Sequence, residues 1–219
     1  MTRQNFEQAL QHLQDEILLL GSMMEKAVER SVDALRKRDV AAAKQIIADD
    51  AHINRKRFEI EELCVDMLAR QQPMARDLRR IIAALIISNE LERMADHAQG
   101  IAKINVVMGD QPLLKPLIDI PRMAEKSIAM TREALDAFLH ADAEQAKRVA
   151  MLDDEIDALY DQVYQELLMY MLRDPQTITR ATWLLWVAHN LERVGDRATN
   201  ICERVVFMVT GELVEYNIS

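Results

Sequence analysis

The sequence predicts an all-α fold made of two tandem three-helix bundles, and three observations predict it. Five glycines and five prolines in 219 residues, with abundant Ala, Leu, Met, Glu, Arg and Gln, favour helix nearly everywhere and give strands little encouragement. The Gly and Pro residues cluster at Gly21, Pro73, 109–121, Pro175 and Gly211, dividing the chain into long uninterrupted stretches. The two halves are also similar to each other: Leu91-Glu92-Arg93-Met94-Ala95-Asp96 matches Leu191-Glu192-Arg193-Val194-Gly195-Asp196 at an offset of 100.

The elements follow in order. Helices are expected over 4–37, 40–71 and 74–108 in the first half, then over 121–140, 143–173 and 176–210. Asp39 and Asp142 stand where the second helix of each half needs an N-cap, and the stretches they open (DVAAAK and DAEQAK) match at an offset of 103. Pro73 answers Pro175 at the next turn. Three of the five prolines fall in 109–121, where no helix can continue, so the repeats are placed at 1–110 and 120–219. A helix of 33 residues is about 50 Å long, and connections of a few residues make neighbours antiparallel.

Composition excludes several functions. A net charge of −9, from 36 acidic and 27 basic side chains, repels a phosphate backbone, so direct nucleic-acid binding is not expected. Cys64 and Cys202 have no C-x-x-C spacing and read as small apolar fillers of a reduced protein. The N-terminus carries charge where a signal peptide is apolar, and the longest uncharged stretch, 181–191, is too short to span a bilayer. A cytoplasmic protein that meets a membrane only through partners is expected. The methionines, with Trp183 and Trp186, are read as core filling.

The chemistry lies in the duplicated acidic motif. In an antiparallel hairpin, residues equally far from the turn share a level. Glu92 and Asp96 lie 19 and 23 residues beyond Pro73, which puts Asn54 and Asp50 opposite them. From Pro175, Glu192 and Asp196 face the levels of Asp153, Asp154, Asp157 and Asp161. Each Glu-x-x-x-Asp already sets like charges on one helix face, at a cost of about 0.2–0.5 kcal/mol. A hard divalent cation (magnesium, manganese, calcium, iron or zinc) would offset it, because such ions take carboxylate and amide oxygens. The competing explanation is ordinary ion pairing with Arg93, Arg193 and Arg197. His52, His97 and His189 flank the clusters and are read as polar face residues. No Gly-rich phosphate loop and no Ser/His/Asp arrangement stands out, and the protein is not expected to be an enzyme. Acidic helical bundles also host di-iron chemistry, but no Glu here has a His three positions later, as that motif requires.

Pro73-Met74-Ala75-Arg76-Asp77-Leu78-Arg79 and Leu91-Glu92-Arg93-Met94-Ala95-Asp96-His97-Ala98, followed by Leu191-Glu192-Arg193-Val194-Gly195-Asp196-Arg197-Ala198-Thr199-Asn200-Ile201, are similar to the signatures of the PhoU family. That resemblance covers nearly the whole chain. It implies a cytosolic negative regulator of the phosphate-starvation response and a modulator of high-affinity phosphate uptake. Its implied partners are the ATPase subunit of the phosphate ABC transporter and the phosphate-sensing histidine kinase, with homodimers common. An accessory protein of a low-affinity phosphate transporter is the alternative of the same fold. The resemblance also implies metal clusters on E(D)-x-x-x-D motifs: Glu92 and Asp96 with Asp50, and Glu192 and Asp196 with Asp153 and Asp157. Asn54 and Asn200 are taken as matching polar positions. Where the second half has Gly195, Asn200 and Asp157, the first has Ala95, Gly100 and Asn54, so the first site is expected to hold metal more weakly.

Overall fold

A computed structural model describes residues 3–71 and 73–216; the outermost residues of the two expected repeats, 1–2 and 217–219, lie outside the described residues. Helices α1 (Arg3–Lys37), α2 (Val40–Gln71) and α3 (Arg76–Met108) form the first bundle. Helices α4 (Asp119–His140), α5 (Ala143–Ala150), α6 (Asp153–Arg173) and α7 (Ile178–Thr210) form the second. No strand occurs among the described residues.

The first turn of each bundle is built the same way. Arg38 and Ala141, 103 positions apart, both take the left-handed conformation, at φ 57° and 52°. The next N–H then reaches back into the preceding helix, Asp39 to the Ala34 carbonyl at 2.8 Å and Asp142 to that of Ala137 at 2.9 Å. The expected caps form: Asp39 Oδ1 accepts from the Ala42 N–H and Asp142 Oδ1 from the Gln145 N–H, both at 2.9 Å.

Several expected boundaries shift, and α3 begins at Arg76 instead of 74. The fifth helix is divided in two, because Met151 and Leu152 tighten into a turn with ψ near −10°. Two i→i+3 bonds, Leu152 N–H to Val149 and Glu155 N–H to Leu152, replace helical ones there. The new N-terminus carries Asp153, Asp154 and Glu155 in its first turn, where negative charge meets unsatisfied N–H groups. Pro121 does not start α4 but sits inside its first turn, where no helical N–H is needed. A 3-10 turn over Pro175–Thr177, capped by Asp174, delays α7 to Ile178.

Helices α3 and α7 are central: α1 and α2 pack on α3, α4 to α6 pack on α7, and α3 lies against α7. One hydrophobic cluster runs through both repeats, from Leu13, Ile17 and Met24 of α1 through Leu91 and Met94 to Leu191 and Val194. The halves therefore share a core, which the burial of apolar area holds together. Cys64 and Cys202 are in that core, unpaired with each other, and burial pushes both thiols up to about 12. The core-filling reading fails for Trp186, which is exposed with its ring edge-on to His189, and for Met74, Met151 and Met169, which are exposed as well. The linker is tied to the second bundle by an ion pair between buried Lys115 and Glu166 of α6.

Candidate metal centres

In the second repeat, Glu192 and Asp196 project from α7 towards Asp153 and Asp157 of α6. The Glu192 carboxyl is pushed from its ordinary 4.5 up to about 7, first by burial and next by the charge of Asp196, with Asp157 and Asp153 adding and Arg193 opposing. Burial and the charges of Asp196, Asp154 and Asp161 raise Asp157 in the same direction. These mutual effects show that acids far apart in the chain converge. Glu192 Oε2 is buried and accepts no hydrogen bond. His189 Nδ1 lies 3.2 Å from it, but burial lowers the affinity of that ring for a second proton. Asp153 is 5% exposed and its Oδ2 accepts from Thr199 Oγ1 at 3.1 Å. Asp196 pairs with Arg193 at 2.5 Å.

Gly195 makes this approach possible. A Cβ at that position would lie 2.6 Å from Asp153 Oδ1 and 2.9 Å from Ile156 Cδ1, inside any van der Waals contact. The first repeat has Ala95 there, so the glycine noted as a departure in the sequence is the one that seats Asp153.

In the first repeat Asp50 and Asn54 of α2 meet Glu92 and Asp96 of α3. Asp50 is raised by burial and then by Asp96; Glu92 is raised by burial and then by Asp96, with Asp50 adding. Chain-supplied cations oppose both: Lys103 acts on Asp50, and Arg57 and Arg93 on Glu92. Asn54 Nδ2 donates to Asp50 Oδ2 at 3.0 Å, leaving its amide oxygen for a cation.

Among the described residues, no group of three or more His, Cys, Asp or Glu side chains is placed so that it could hold a metal ion as it stands. The acids share a level and raise one another, which is the state a hard cation would relieve. By their chemistry the carboxylate oxygens of the second repeat, with the buried Glu192 Oε2 that accepts no hydrogen bond, are donors such an ion takes. Asn200 is placed differently from Asn54: its Nδ2 donates to Glu90 Oε2 across the α3/α7 interface at 3.2 Å. The two asparagines therefore do not play matching parts.

That interface holds a polar cluster in which sequence reasoning singles out Arg197 and His97 but not Glu90 or Asn190. Arg197 pairs with Glu90 at 2.9 Å, with the two side chains 14% and 11% exposed. His97 Nδ1 meets Asn190 Oδ1 at 3.0 Å, and Arg197 Nε donates to His97 Nε2 at 3.4 Å, which a neutral ring protonated at Nδ1 satisfies on both sides. Position 90 meets 197 and 200 while position 190 meets 97, and a Cβ on Gly100 would lie 2.9 Å from Asn190 Oδ1. The contacts repeat after an exchange of halves, so a pseudo-twofold axis passes between antiparallel α3 and α7. His97, read as a polar face residue, is half-buried on this axis. The signal available in the sequence was polar residues at positions that otherwise follow the buried stripe of each third helix.

The same two units appear in comparisons with known proteins. A sequence model of the PhoU domain matches residues 17–104 and again 120–205. The chain belongs to the PhoU family. A PhoU homolog from Clostridium acetobutylicum, described as a phosphate-specific transport system accessory protein, is 37% identical over 99% of this chain and all of its own length. One of the same description from Caulobacter vibrioides is 38% identical over 96% of this chain and 92% of its own. The crystal structure of PhoU from Pseudomonas aeruginosa superposes with a TM-score of 0.88 at 35% identity, covering 94% of this chain and all of that one. The phosphate transport system regulatory protein PhoU from Streptococcus pneumoniae gives 0.88 at 33% identity, over 96% and 99%. The two-bundle PhoU fold is thus common to the three. No helix among the described residues is long and apolar enough to cross a membrane.

Proposed function

We propose that this chain is a cytoplasmic accessory protein of a phosphate transport system that acts as a negative regulator of the phosphate-starvation response. On this reading it is a metal-binding adapter, as a homodimer, between the ATPase subunit of the phosphate ABC transporter and the phosphate-sensing histidine kinase. The observation that carries it is the PhoU fold over the full chain with relatives of that description at 36–38% identity.

Asp153, Asp157, Glu192 and Asp196 would hold a divalent cation in the second repeat, and Asp50, Asn54, Glu92 and Asp96 form the corresponding set in the first. The ion would supply fixed positive charge that ties α6 to α7. The chain's own residues do the rest: Thr199 orients Asp153, Gly195 admits it, and Arg193 orients Asp196.

Two experiments test the reading. Deletion of the gene is expected to release phosphate-responsive transcription when phosphate is plentiful, and co-purification is expected to recover the ATPase subunit and the kinase; unchanged transcription refutes the regulatory role. Replacing Glu192 and Asp196 together with Ala is expected to remove metal from the second repeat by elemental analysis, and undiminished content places the ligands elsewhere.

A further inference from the structure

The two acidic centres differ in where their positive charge comes from. Arg57 sits on α2 with its guanidinium 4.1 Å above the Phe58 ring and its Nη1 donating to Glu61 at 2.8 Å. Its Nε is buried without an acceptor and faces Glu92 Oε1 at 4.0 Å. The side chain is 20% exposed, and Glu92 is 18% exposed, so the two charges act on each other with little solvent between them. An arginine held by a carboxylate on one side and a ring face on the other is a fixed cation, since it stays protonated at any ordinary pH.

The second repeat has no cation at the corresponding position, and its own arginine, Arg193, pairs with Asp196 within α7. At the offset of 103 that relates Asp50 to Asp153 and Asn54 to Asp157, Arg57 corresponds to Tyr160. Tyr160 lies beside the second centre, its ring 6.2 Å from that of His189, and its hydroxyl is raised first by burial and then by the charge of Glu192. Lys103, which acts on Asp50, likewise corresponds to Glu203 at the offset of 100 that relates Glu92 to Glu192. Thus two cations of the first repeat are replaced in the second by a neutral phenol and another acid, while Asn54 becomes Asp157. Both centres keep the arginine that follows the glutamate, Arg93 and Arg193, but only the first adds Arg57 and Lys103, and the second has a carboxylate oxygen, Glu192 Oε2, that receives no hydrogen bond.

We propose that the Arg57 guanidinium takes the electrostatic place of a metal ion in the first repeat, so that tight divalent-cation binding is confined to the second. This rests on the reading of the second-repeat acids as a metal centre. Arg57 thereby sets the metal content of the chain, and its positive charge excludes a second cation from Glu92, Asp96 and Asp50 by repulsion.

The test is equilibrium dialysis of the chelator-stripped full chain against Mn²⁺, with bound metal counted by elemental analysis. In wild type, Glu192→Gln with Asp196→Asn is expected to remove tight binding. Adding Arg57→Gln to that pair is expected to create a new site at least about tenfold tighter than its parent, since one unit charge beside a divalent ion is worth that much even at high dielectric. Adding Glu92→Gln abolishes the new site, and Arg57→Lys, which keeps the charge, does not create it. Arg57→Tyr, copying the second repeat, serves if the glutamine variant fails to fold. Tight Mn²⁺ binding that survives Glu192→Gln with Asp196→Asn while Arg57 is intact overturns the proposal, as does a first repeat that stays empty after Arg57 is replaced. Wild-type protein that binds no Mn²⁺ refutes the metal reading separately, and the Arg57 variants still decide this one by gaining a site or not.

Discussion

Removing a buried carboxylate should stabilise this protein above neutral pH when no metal is present. Glu192 is the group concerned: its folded-state proton affinity corresponds to about 7, against 4.5 ordinarily, because burial and the charges of Asp196, Asp157 and Asp153 outweigh Arg193. The native state therefore binds more protons than the unfolded chain between those two values, and stability falls as pH rises through that window. Below about 4.5 the penalty is absent; above about 7 it is complete. A gap of this size is worth about 3 kcal/mol at most, and the 20% exposure of the side chain brings the expected figure down to about 1–3 kcal/mol. Glu192→Gln keeps the shape and one carbonyl oxygen while removing the charge. In urea titrations with chelator, it should match wild type near pH 4.5 and exceed it by about 1–3 kcal/mol at pH 8. Saturating Mn²⁺ should close the difference by stabilising wild type alone. A variant no more stable than wild type at pH 8, or a difference that does not vary with pH, would show that the charge of Glu192 does not cost the fold stability.

Three other outcomes follow from the packing. Gly195→Ala drives a Cβ into Asp153 Oδ1 and Ile156, so chemical denaturation should show a loss of about 1–3 kcal/mol, and the metal content of the second repeat should fall with it. Arg197→Met leaves Glu90 buried without its guanidinium and should cost about 3–5 kcal/mol by the same measurement, most of it recovered when Glu90→Gln is added; a double variant as unstable as the single one would contradict the pairing. Ala141→Gly relieves a left-handed residue at the end of α4 and should raise stability by up to about 1 kcal/mol, read as an upward shift of the thermal midpoint.

The duplicated Leu-Glu-Arg-x-x-Asp motif, the two capping aspartates and the proline marks were enough to place six long helical stretches and to bring Asp50 and Asn54 opposite Glu92 and Asp96. Such features are local or periodic: a helix face is set by spacing, a turn by backbone chemistry, and a hairpin level by distance from its turn. The turn at Met151–Leu152 escaped notice because neither residue breaks helices, and the acids that follow it gain from a fresh N-terminus only once α6 is packed on α7. Trp186 and His97 were misjudged for a related reason, since helical spacing places a side chain on a stripe without saying which neighbour, if any, covers it.

What the chain alone determined was its class, its internal duplication, its family and the acidic levels of each hairpin, all of which depend on residues near in sequence or at a constant offset. Only the tertiary structure decided that α3 and α7 lie antiparallel along a pseudo-twofold axis, that Glu90 meets Arg197 across it, that Asp153 needs Gly195, and that Arg57 faces Glu92. Those contacts join side chains from separate helices at ångström distances, and burial, which gives each charge its energy, exists only after the two bundles have closed on one core.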